Sequence, residues 1–102
     1  MKSLKILIAD DEKELRESLG AMLQHMGFET VQASDGEEAV NKVMSTKYDL
    51  VLLDVNMPRM SGLEALKQIK AYDNSIIAVI LTAYSNVKDA VEAVRQGAYN
   101  YL

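Results

Sequence analysis

Three acids and a hydroxyl carry the types and spacing in this chain that could do chemistry. Asp10 and Asp11 stand together in "IADDE", Asp54 ends the apolar run of "VLLDVNMPRMSG", and Thr82 closes "IIAVILT". Each follows a continuous apolar stretch, and the chain's only proline, Pro58, lies in the short loop after Asp54. Gathered at one place, three carboxylates repel and raise one another's pKa, so at neutral pH they need a cation. The donors are all oxygens, and no cysteine or nearby histidine competes. A hard ion that keeps some of its waters fits such a set, which points to Mg²⁺. A carboxylate beside that ion, with a hydroxyl close by, suits attack on a phosphoryl group and formation of an aspartyl phosphate.

Elements far apart in sequence must bring these residues together. Apolar runs predict strands at Leu4–Ala9, Glu29–Ala33, Leu50–Leu53 and Ile76–Leu81. Helical spacing predicts a first helix over Glu12–Met26, with Leu15, Leu19, Met22 and Met26 inward and Gly27 as its stop. A second helix starts at Asp35, where Asp35 and Glu38 have capping-box spacing, and turns Ala39, Val40, Val43 and Met44 inward. The third opens at Ser61, with Glu64 completing the same spacing and Leu63, Leu66 and Ile69 as its stripe. The fourth carries Val87, Ala90, Val91 and Val94 and stops at Gly97. The closing "AYNYL" has the character of a starting fifth strand. Asp11 and Glu14 also have capping-box spacing, a local role that can coexist with a place in the acid group.

Strict alternation of strand and helix, with strands apolar throughout, means a doubly wound parallel α/β sheet with helices on both faces. All strand C-termini then share one edge, and ligands bind in the crevice outside it, where the strand order reverses. The edge would collect Asp10, Asp11, Asp54 and Thr82.

Composition removes other classes. At 102 residues the chain reads as one domain, 1–102, and 49% hydrophobic with 25% charged residues is globular. A net charge of −4 without a basic cluster argues against direct nucleic-acid binding. No run of about 18 apolar residues predicts a membrane span. The N-terminus does not read as a signal peptide, because acids arrive at Asp10. Without cysteine there is no disulfide or thiolate chemistry. A cytoplasmic location is the expectation.

With these residues in view, the chain resembles the receiver domains of bacterial two-component response regulators. The resemblance covers the whole chain through "IADDE", "LLDVNMPRMSGLEAL", "ILTAY" and "GAYNYL", the last two closest to the sigma-54-dependent, nitrogen-regulation class. It implies a flavodoxin-like strand order and Asp54 as phosphoacceptor. It implies Mg²⁺ held by Asp10, Asp11, Asp54 and the backbone carbonyl of Asn56. Thr82 would hydrogen-bond the phosphoryl group, Tyr101 would be the switch aromatic, and Pro58 and Gly62 would shape the intervening loop. The donor would be a phosphohistidine on a sensor histidine kinase or phosphotransfer protein. Such a domain catalyses its own phosphorylation and is not a turnover enzyme.

The resemblance further implies a lysine three positions past Tyr101, then a fifth helix, whereas the chain stops at Leu102. It therefore reads as a receiver shortened at its C-terminus, with the fifth strand and fifth helix largely missing. "IIAVIL" would then be an open apolar edge and Leu15, Leu19 and Met22 would lose cover, so self-association is expected. Two other functions are weaker. An aspartyl phosphatase usually carries a second Asp two residues after its nucleophile, and Asn56 stands there instead. An FMN site needs a Ser/Thr/Gly-rich phosphate loop after a strand, which is missing. The alternative of a receiver-like fold serving only protein contacts or self-association, without phosphorylation, stays open.

Overall fold

The computed structural model of the chain describes residues 4–81 and 100–101. Four five-residue strands build a sheet: β1 (Lys5–Ala9), β2 (Glu29–Ala33), β3 (Leu50–Asp54) and β4 (Ile77–Leu81). A two-residue β5 (Asn100–Tyr101) completes it, and all pairings are parallel in the order β2-β1-β3-β4-β5. Between them run α1 (Lys13–His25), α2 (Gly36–Ser45) and α3 (Gly62–Tyr72). The flavodoxin-like order is the expected one. As expected, the fifth strand is short: β5 pairs only with Val79 and Ile80 of β4. Thr82 and the expected fourth helix, with Val87, Ala90, Val91 and Val94, lie outside the described residues.

Alternate strand residues serve opposite faces. Leu7, Ala9, Val51, Leu53, Ala78 and Ile80 pack beneath the apolar stripes of α2 and α3. Ile6, Ile8, Leu52 and Val79 face the other way, with Leu19 and Leu23 of α1 and Phe28 against them. Helices on both faces explain why the strands show no polar alternation. Each fully buried Leu, Ile or Val contributes roughly 1.5–3 kcal/mol.

Two of the three expected capping positions hold. The Asp35 side chain accepts from Glu38 N–H at 2.8 Å, and Ser61 Oγ accepts from Glu64 N–H at 3.2 Å. Glu38 bonds back to the amide of Ser34. Asp11 does not cap α1. Its N-cap is Glu12, which makes no side-chain cap bond, while the Glu12 amide donates to Asp10 Oδ1 at 2.9 Å. At the other end, Gly27 adopts φ +98°, its amide bonding Gln24 and that of Phe28 bonding Leu23, a Schellman closure.

The methionines reverse the expectation. Met22, Met26 and Met44 are 50–61% exposed, whereas Met57 and Met60 are partly buried against the larger core. α1 meets the sheet along Leu19, Gly20 and Leu23, and glycine at 20 lets the helix approach Gln32 and Ile8 closely. That turns Leu15, Met22 and Met26 toward solvent. Met57 and Met60 sit in a loop that folds back onto α2, where a Cβ on Gly36 would collide with the Met60 carbonyl.

A Cβ on Gly62 would likewise collide with the carbonyl oxygen of Asp54. Gly62→Ala should therefore destabilise the domain by about 2 kcal/mol, the usual scale for overpacking. Urea denaturation checks this, and an unchanged midpoint would mean that α3 is free to slide away from β3.

Candidate functional site

β1 and β3 are adjacent, with Ala9 beside Leu53, yet the chain leaves β1 toward β2 on one side and returns to β3 on the other. The crevice at this reversal receives whatever follows the two strands. Asp10 follows β1 directly and Asp54 is the last residue of β3. Asp10, Asp11 and Asp54 each offer a carboxylate oxygen, and these oxygens lie within 4.8 Å of one another. The expected acid group is therefore assembled.

Its members sit in different surroundings. Asp10 is only 2% exposed, Asp54 is partly buried and Asp11 is exposed. Burial first, then the neighbouring Asp10 charge, pushes Asp54 up from its ordinary 3.8 to about 6. The backbone amides of Asn56 and Val55 lie near its carboxylate and oppose the rise. Asp10 is also raised, chiefly by burial and further by Asp11, with the Glu12 amide and the Arg16 cation pulling the other way.

The remaining expected residues are placed less completely. Asn56 lies exposed in the loop two residues past Asp54. Thr82 is outside the described residues, but β4 ends at Leu81, opposite Asp54 in register. The backbone of Tyr101 belongs to β5, beside Ile80. Pro58 is exposed, and the Gly62 amide closes the loop by donating to Val55 O at 2.9 Å.

Sequence reasoning missed Arg16. Its Nη1 donates to the Asp10 carbonyl at 2.7 Å and its Nε to Gln32 Oε1 at 3.0 Å, which sets a cation behind the acids. No local signal marked it, because its partners come from the end of β1 and from β2.

The model of the response regulator receiver domain matches residues 6–102. This chain belongs to that family. The receiver is 42% identical over 101 residues to the transcriptional regulatory protein ZraR of Klebsiella oxytoca, which spans 99% of the chain and 23% of the relative. It is 39% identical to the regulatory protein AtoC of Escherichia coli, over 96% of the chain and 21% of the relative. The chain thus spans about a quarter of the length of these curated relatives. Among solved structures, response regulator TrrA of Thermotoga maritima in complex with Mg²⁺-BeF superposes with a TM-score of 0.88 and 39% identity. That match covers 97% of this receiver and 84% of TrrA. The chemotaxis protein CheY4 of Vibrio cholerae gives a TM-score of 0.92 at 30% identity, covering 99% and 86%. No helix among the described residues is long and apolar enough to cross a membrane.

A folded pKa above the unfolded one sets the sign of the pH dependence. The Asp54 contribution to stability is fully present below 3.8 and is lost as pH rises through about 6. In metal-free buffer at about pH 7.5, Asp54→Asn should stabilise the receiver by about 1 kcal/mol, after allowance for solvent screening. Thermal melts should show a gain of several degrees that shrinks toward about pH 4. A gain that does not change with pH would overturn this electrostatic account.

Proposed function

We propose that the receiver accepts a phosphoryl group on Asp54 from the phosphohistidine of a sensor histidine kinase or phosphotransfer protein. The observation that carries this reading is the convergence of the Asp10, Asp11 and Asp54 carboxylates at the sheet edge. An all-oxygen set with a partly buried, raised Asp54 suits a hard divalent ion, and Mg²⁺ would be held by Asp10, Asp11, Asp54 and the carbonyl of Asn56. When bound, the ion supplies positive charge to the phosphoryl oxygens. The Thermotoga relative, crystallised with Mg²⁺-BeF, supports that assignment.

In this reading an Asp54 carboxylate oxygen attacks phosphorus while the phosphorus–nitrogen bond of the donor breaks, and the imidazole leaves with the electron pair. The nearby Val55 and Asn56 amides favour the ionised, attacking form of the carboxylate. The Glu12 amide holds Asp10, and Arg16 fixes the Asp10 backbone. Thr82 would hydrogen-bond the phosphoryl group and Tyr101 would turn inward in response. The domain acts on itself, in the cytoplasm, where kinases that make phosphohistidine have their ATP.

A second copy of the chain is a further proposed partner. Leu15, Met22 and Ile77 are 44–52% exposed on the α1 side of the sheet. Sedimentation that shows a monomer at every concentration would remove this partner and leave the phosphoacceptor reading intact.

Incubation with acetyl phosphate and intact-mass analysis tests the main reading. One phosphoryl group should be gained with Mg²⁺, none after chelation, and none in Asp54→Asn. An Asp54→Asn protein that gains as much as the wild type would move the acceptor elsewhere.

A further inference from the structure

The loop after Asp54 runs on directly from that residue and carries Asn56, whose carbonyl is a proposed Mg²⁺ ligand, so whatever holds this loop also sets the acid group. Its base is closed by the Gly62 amide on Val55 O, and Met60 N–H turns back to Pro58 O at 2.7 Å. Arg59 at its tip has φ +65°, the left-handed region, where a side chain other than glycine is strained. Such an outlier persists only where its surroundings over-determine it.

The surroundings here are the N-terminus of α2. Arg59 Nη1 donates to Asp35 Oδ2 at 2.7 Å, while Asp35 Oδ1 accepts the Glu38 amide that caps the helix. Asp35 is 3% exposed, whereas the Arg59 side chain is largely in solvent. Among the described residues this is the one side-chain hydrogen bond that ties residues 55–60 to another element. It is short, charge-assisted and anchored on a buried carboxylate, unlike an ordinary surface ion pair. Directly beside it, Gly36 leaves room for the Met60 carbonyl.

We propose that Asp35 and Arg59 are positioning residues for the acid group: their ion pair clamps the β3–α3 loop on α2 and thereby sets the receiver's affinity for Mg²⁺. This rests on the Mg²⁺ reading above. Neither residue touches the three carboxylates. The pair acts through the loop backbone on Asn56 and Asp54. Its effect should therefore fall below the 10- to 100-fold typical of partners bonded directly to a metal ligand.

Calorimetric titration of the full chain with MgCl₂ tests it, using Arg59→Asn, Asp35→Asn, the double variant and Arg59→Lys. Asparagine tolerates the left-handed backbone but cannot reach Asp35, and asparagine at 35 keeps a helix-capping oxygen. Each single variant should bind Mg²⁺ about three- to tenfold more weakly, below the direct-partner range. The double variant should be no worse than the weaker single, and Arg59→Lys should recover most of the affinity. Metal-free melting of Arg59→Asn reports any purely structural role, which would lower the melting temperature and leave affinity unchanged. Single variants that bind as the wild type does, or losses that add in the double variant, overturn the clamp and leave the Mg²⁺ reading standing. A wild-type chain that takes up no Mg²⁺ removes both.

Discussion

Like charges repel, and this fold presses three carboxylates onto one edge of a sheet. Parallel strands joined by right-handed crossovers leave their C-termini on the same side. Asp10 and Asp54 therefore become neighbours because β1 and β3 pair in register. Burial makes the repulsion stronger, since the apolar ends of both strands exclude water that would screen it. Asp54 is raised by its burial first and by the neighbouring Asp10 charge second. A site held under such repulsion favours whatever brings positive charge to it, and this is the physical basis for reading it as a divalent-ion and phosphoryl pocket.

The surrounding backbone keeps the acids in place against that repulsion. Asp10 is held by the Glu12 amide on its side chain and by Arg16 on its carbonyl. Asp54 is followed by a loop closed by Gly62 and pinned to α2 through Arg59 and Asp35. Glycine is required at 36 and 62 because backbone atoms of Met60 and Asp54 occupy the space of a Cβ. These are packing demands, and they place α2 and α3 relative to the site as firmly as the apolar core does.

Much of this was legible beforehand. Continuous apolar runs bounded by polar residues predicted β1, β3 and β4 to within a residue, because a sheet covered on both faces leaves no polar alternation there. Capping spacing at Asp35 and Ser61 marked helix starts, since the hydroxyl or carboxylate must meet an amide three residues on. The same spacing misled at Asp11, because α1 is capped one residue later at Glu12, whose amide bonds the buried Asp10. Helical spacing also misassigned Met22 and Met26, because an apolar stripe wider than the contact says nothing about which of its edges meets the sheet.

By itself, the sequence determined the α/β class, the parallel sheet and the identity of the acids, because each follows from local pattern and from the rule that strand ends share an edge. Only the tertiary structure decided how those acids differ. Asp10 is buried, Asp11 is exposed and Asp54 is raised to about 6, through neighbours tens of residues away in the chain. It also decided that Arg16 stands behind the pocket and that Arg59 reaches Asp35. Burial and pairing at this range depend on which surfaces meet, and no local pattern in the chain encodes that.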